Sequence, residues 1–128
     1  MEGYKATFIT ATKELNIKER IAAKQFNDCT QLDDATKEAP LVIEFDYYVD
    51  FNVHNEFVKD KNKKDYRKRV IVATDGERYI TGSETLMSSM DDILDDLSDE
   101  EGYVPTFKFY RKPSKNYVGK DFLSCTLV

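Results

Sequence analysis

An α+β, mainly-β fold is predicted by three features of the chain. Apolar and polar residues alternate from Leu41 to Val53, Asp75-Gly76 separates two β-rich runs, and one long amphipathic helical pattern, residues 83–101, interrupts an otherwise strand-rich sequence. With 128 residues, 41% of them hydrophobic, the chain suits a single domain, 1–128, that builds its core without disulfide staples.

Residues 4–11, YKATFITA, are rich in β-branched and aromatic side chains and predict a strand. Asn16 followed by Glu19 is a capping-box start for a short helix over Asn16–Gln25. A short strand around Thr30–Leu32 then leads into a loop ending at Pro40. In Leu41–Val53 the alternation puts Leu41, Ile43, Phe45, Tyr47, Val49, Phe51 and Val53 on one face, the pattern of a strand with one side in the core. A strand of that length is expected to bend around a small barrel. The run KDKNKKDYRKR (59–69) reads as a loop leading into a strand. RVIVATDGERYIT reads as a hairpin, with Asp75-Gly76 supplying the positive φ angles of a type I′ turn.

Ser83 is an N-cap candidate for the long helix. Leu86, Met90, Ile93, Leu94 and Leu97 recur at helical spacing, and Gly102 offers a stop. Tyr103–Arg111 and Tyr117–Leu127 complete the chain as two strands joined by KPSKN. A helix between strands 3 and 4 of a five-stranded antiparallel sheet is the layout of an OB-fold-like open barrel, which binds oligonucleotides on one sheet face and its loops. The expected fold is that barrel plus the short N-terminal helix.

The formal net charge is -5, but charge is segregated along the chain. Residues 59–69 hold seven cations and two acids, and residues 108–120 hold five cations and no acid. Residues 83–101 hold eight acids and no cation. A local basic field attracts polyanions even on an acidic protein. Alternation in the last hairpin buries Phe107, Phe109, Leu123, Cys125 and Leu127. It leaves Lys108, Tyr110, Lys120 and Phe122 on the opposite face, with Arg111, Lys112, Lys115 and Tyr117 near the turn. Cations follow phosphates and rings take unstacked bases, so this mixture favours single strands over duplex.

Thr74–Leu127 resembles the C-terminal part of the single-stranded DNA-binding proteins of small tailed phages with protein-primed DNA replication. The shared pattern is Asp75-Gly76, Tyr79, a Ser83-x-Thr85 start and an Asp-rich, Leu-containing helix end. Phe107-Lys108, Ser114-Lys115, Gly119, Phe122, Ser124 and Leu127 follow in order, and Tyr4–Phe8 resembles the family's opening. The resemblance implies an OB-like protein that binds single-stranded DNA with little sequence preference and protects displaced strands. It places Tyr79 near the DNA and offers Tyr48, Phe57 and Tyr66 as further candidates, with Tyr66 best flanked by cations. The helix at Asn16–Gln25 and the loop 28–40 have no counterpart in that pattern, and the acidic run is heavier than the family's.

Catalysis has little material. His54 is the only histidine, and no phosphate-binding glycine loop, dinucleotide fingerprint or complete calcium loop is present. Cys29 and Cys125 lie far apart without clustered histidines, which argues against zinc and against a disulfide framework. Asp91/Asp95 and Asp92/Asp96 are i,i+4 pairs that read as a solvated helix face, with a divalent ion or a basic protein as the sharper alternatives. The N-terminus lacks the apolar core of a signal peptide, and no run approaches a membrane span, so a cytoplasmic protein (host cytoplasm if phage-encoded) is expected.

The expected function is a sequence-tolerant, non-enzymatic, cofactor-free single-stranded DNA-binding protein, working as a monomer. Tyr79, Tyr110 and Phe122 are the stacking residues. Lys108, Arg111, Lys112, Lys115 and Lys120 hold phosphates, with Tyr117 beside them. Lys63, Lys64, Arg67, Lys68 and Arg69 form a flanking funnel around Tyr66. A replication protein is the expected partner of the acidic helix 83–101. The competing expectation is an acidic interaction protein or DNA mimic that inhibits a host nucleic-acid-binding enzyme.

Overall fold

The computed structural model describes residues 4–56, 59, 65–100, 102–114, 119 and 121–128. Its strands are β1 (Tyr4–Ala11), β2 (Thr30–Gln31), β3 (Leu41–Asn55), β4 (Asp65–Ala73), β5 (Arg78–Thr81), β6 (Thr106–Pro113) and β7 (Asp121–Leu127). The helices are α1 (Ile17–Lys24), α2 (Leu32–Ala35) and α3 (Glu84–Asp96), with a 3₁₀ turn at Phe26–Asp28. The class is mainly β with helices, as expected. The sheet, however, has seven strands rather than five, in the order β2-β5-β4-β3-β6-β7, with β1 also paired to β3.

β3 organises the molecule. Its first residues, Leu41–Glu44, pair with β6, its later residues pair with β1, and Phe45–His54 pair with β4. The register shifts between Phe45 and Tyr47. Such a bulge changes which face the following side chains occupy and bends the strand. Ile43, Phe45 and Tyr48 therefore enter one core, and Tyr47, Val49 and Phe51 enter another. This corrects the single apolar face read from the alternation: both sides of β3 are covered.

The first core joins Phe107, Phe109, Leu123 and Cys125 of the last hairpin to Ile71, Leu32 and the Leu86–Met90 face of α3. The second lies on the other side of the sheet, where Leu15, Ala23 and Phe26 close over Val49, Phe51, Val70 and Ile80. Cys29 packs on the second core and Cys125 in the first, and both thiols are free.

Local signals set the element ends. Asn16 accepts from the Glu19 amide at 2.8 Å, and the Glu19 carboxylate accepts from the Asn16 amide at 3.1 Å, completing the capping box. The Ser83 hydroxyl accepts from the Leu86 amide at 3.2 Å. Ser83→Ala is expected to cost about 1 kcal/mol of stability, read as a lower urea midpoint with an unchanged slope. At Asp75-Gly76 only the glycine has positive φ, 91°. The Gly76 amide donates to Ala73 O and the Ala73 amide to Glu77 O. The connection is therefore a three-residue loop built on a type I turn rather than the expected type I′. α3 ends at Asp96, well before Gly102. Tyr103–Pro105 is irregular instead of strand: Pro105 has no amide to donate to a ladder, although its carbonyl accepts from the Phe45 amide at 2.9 Å.

α2 spans the open side of the sheet. Its Leu32 is fully buried in the first core. Asp33 accepts from Arg111 of β6 through its carbonyl at 2.6 Å and from the Thr81 hydroxyl of β5 through its side chain at 3.3 Å. No helix among the described residues is long and apolar enough to cross a membrane.

Candidate nucleic-acid interface

The β6–β7 hairpin is amphipathic because its register matches its alternation. Phe107 pairs with Leu127 and Phe109 with Cys125 on the inner face. On the outer face Lys108 pairs with Thr126 and with Val42, Tyr110 with Ser124, and Lys112 with Phe122. Directly opposed side chains lie about 5 Å apart and diagonal ones about 7–8 Å, so Phe122 is a direct neighbour of Lys112 and a diagonal neighbour of Tyr110, which Lys108 and Lys112 flank along β6. Both rings are half-buried, and both lysines are exposed. Glu44 of β3 stands on this face next to Val42, and it accepts a hydrogen bond from Thr74 at 2.9 Å. Lys115, Tyr117 and Lys120 lie outside the described residues.

Arg111 does not join this face. It alternates inward opposite Leu123, donates to the Asp33 carbonyl and approaches Asp121 at 3.4 Å. Its reading as a phosphate ligand is corrected to a structural tie. Tyr79 also departs from the expected set. It packs half-buried against the first core, and burial raises its phenol pKa. It sits across the sheet from Tyr110 and Phe122, not beside them.

The basic run divides by strand parity. Lys63 and Lys64 lie outside the described residues. Tyr66 and Lys68 share the side of β4 that carries Val70, with the Lys68 ammonium 5.7 Å from the Tyr66 ring centre. Arg67 and Arg69 take the other side. Arg67 pairs with Asp50, and Arg69 is fully buried. Assignment of Arg69 to an exposed funnel is thereby overturned.

Arg69 is held as a buried cation. It meets Asp50 through Nε at 2.8 Å and Nη2 at 3.0 Å, a bidentate pair. Nη1 donates to the Met87 carbonyl at 3.1 Å, and Nη2 donates to Asp91 at 3.2 Å. The guanidinium carbon lies 3.6 Å from the Tyr48 ring centre. Desolvation alone would lower the Arg69 pKa, but hydrogen bonds to Asp50 and Asp91 outweigh it and the net shift is upward. Tyr48 donates to Asp91 at 2.8 Å, and burial followed by that bond pushes its phenol up to about 12. Asp91 is therefore a core anchor, while Asp92, Asp95 and Asp96 remain exposed.

Under the basic run, His54 Nδ1 lies 2.9 Å from Asp65, and Nε2 contacts Glu56. Hydrogen bonds to Glu56 and then Asp65 raise the His54 pKa above 6.5. A raised folded pKa gives stability that is complete below the unfolded pKa and is lost as pH rises through the folded one. His54→Gln is expected to flatten the fall in Tm on that side of pH 6.5, and histidine NMR titration reads the shifted pKa directly.

Sequence reasoning passed over Phe8 and Arg20. Phe8 is exposed on β1, with the Arg20 guanidinium 5.4 Å from its ring centre. An exposed phenylalanine in a predicted strand carries no signal until the edge position of β1 is known. The chain matches no protein-family model, no curated protein and no solved structure in the comparisons made.

Proposed function

We propose that the chain is a sequence-tolerant single-stranded DNA-binding protein that coats and protects exposed strands, in the setting of phage DNA replication that its resemblance implies. The observation that carries this reading is the outer face of β6–β7, where Lys108 and Lys112 flank Tyr110 along β6 and Phe122 lies opposite Lys112. Rings at that spacing stack successive bases while the ammonium groups neutralise the backbone between them. The mechanism is binding without turnover.

The finer fold belongs to the same proposal. β3 pairs with both β4 and β6, β5 follows β4 as a hairpin, and α3 lies between β5 and β6. This connectivity of β3–β7 fits an OB-like open barrel to which the first forty residues add β1 and β2. A second reading, an acidic interaction protein or DNA mimic, draws on exposed Asp92, Asp95 and Asp96.

The test uses the residue inventory. The chain has eight tyrosines and no tryptophan, so its emission is tyrosine emission. Titration with oligo(dT) at low salt is expected to quench it strongly, with a weak response to duplex and loss of affinity as salt rises. No response to either nucleic acid at low salt would leave the acidic helix and a protein partner as the working function.

A further inference from the structure

Among the described residues, five of the eight large exposed apolar side chains gather at two places of opposite charge. Phe8, Ile17, Arg20, Ile21, Lys24 and Phe51 line a groove of about 260 Å³ between α1 and β1. Ile17 and Ile21 are 70% and 54% exposed, because α1 turns Ala23 rather than its isoleucines to the core. Arg20 and Lys24 are cations at i,i+4 on this helix. The second place is a cleft of about 270 Å³ that includes Leu94, Leu97, Tyr103 and Val104. Tyr103 and Val104 are half exposed, Asp46 lies in the cleft, and Asp95 and Asp96, between the lining residues Leu94 and Leu97 in sequence, are exposed.

We propose that the chain associates head to tail with a second copy of itself, the cationic groove at α1 receiving the acidic end of α3 and Tyr103–Val104 of its neighbour. Charge complementarity selects this occupant: cations border one apolar surface and aspartates the other. The acids that oppose the α3 macrodipole then have cations to meet. α1 and α3 cover opposite faces of the sheet, so a copy engages one neighbour with each. A contact between unlike patches leaves a free patch at each end, so the assembly continues as an open chain unless its rotation closes a ring. The proposal departs from the expected monomer and does not depend on nucleic acid.

Sedimentation velocity of the full chain without DNA tests it. At low salt the weight-average mass is expected to rise steadily with concentration and to fall when salt is added. Arg20→Glu/Lys24→Glu and Asp95→Lys/Asp96→Lys should each weaken association by roughly tenfold or more, since each places like charges across the contact. Mixing these two variants should restore association, because every mixed contact again joins opposite charges. Ile21→Glu, at a surface position, gives a second route to the same loss if circular dichroism shows a charge variant misfolded. A wild type that stays monomeric at low salt overturns the proposal and leaves the groove to a different acidic partner. Growth that stops at a symmetric dimer, or a mixture that fails to associate, overturns it as well.

Discussion

Asp50→Ala is expected to destabilise the fold by about 3–5 kcal/mol, the range for removing one partner of a buried ion pair. The substitution strips Arg69 of its bidentate acceptor while Met87 and Asp91 still hold the guanidinium in place. Water cannot reach a side chain with 0% exposure to replace what is lost. Most of the effect is the uncompensated charge rather than the worth of the pair. The double variant Asp50→Leu/Arg69→Met should therefore recover much of the stability, because the buried pair is gone and the Arg67 partner that Asp50 leaves behind is 40% exposed to water. Urea unfolding of the single and double variants separates these terms. A loss below about 1 kcal/mol for Asp50→Ala would show that Asp91 takes over the charge.

The second large effect is on binding. Tyr110→Ala and Phe122→Ala are each expected to weaken oligo(dT) affinity by about 1–3 kcal/mol, roughly fivefold to 150-fold. Both positions face away from the core on a strand whose inner face stays occupied by Phe109 and Leu123, so stability should change little. Lys108→Ala and Lys112→Ala should act differently. Each removes one phosphate contact and lowers the single-strand salt slope by about 0.7. Tyr79 provides the control, because it packs against the inner core. Tyr79→Phe should leave affinity unchanged. If Tyr79→Phe abolishes quenching while Phe122→Ala does not, the DNA lies on a different surface and the hairpin assignment fails.

Local chemistry was legible in the sequence where it is completed within a few residues. The Asn16–Glu19 box, the Ser83 cap and the parity of the last hairpin all close over short range. The bulge between Phe45 and Tyr47 was not legible, because alternation runs unbroken through it. Only the competing demands of β1, β4 and β6 on a single strand require the shift. Arg69 was misread for the same reason. In RKRVIVA it continues a basic run, and its burial follows from the β3–β4 register that puts Asp50 opposite it and from α3 closing above. Arg111 shows the limit of composition: it sits in a cationic turn yet alternates inward to Asp33. Lys108, Tyr110 and Phe122 do share the outer face, because strand parity alone decides it, and Lys112, read only as near the turn, joins them.

The seam closed by residues 30–36 also bears on how the chain reaches its native state. Asp33 meets Thr81 across 48 residues and Arg111 across 78, while Arg78 ties back to the Ala22 carbonyl across 56. None of these contacts exists until β5 and β6 have been made. During synthesis the opening segment leaves the ribosome long before the surfaces it covers. The segment around Ala22–Asp33 should thus dock late, after β1 has paired with β3, with an overall rate in the millisecond-to-second range of high-contact-order β proteins.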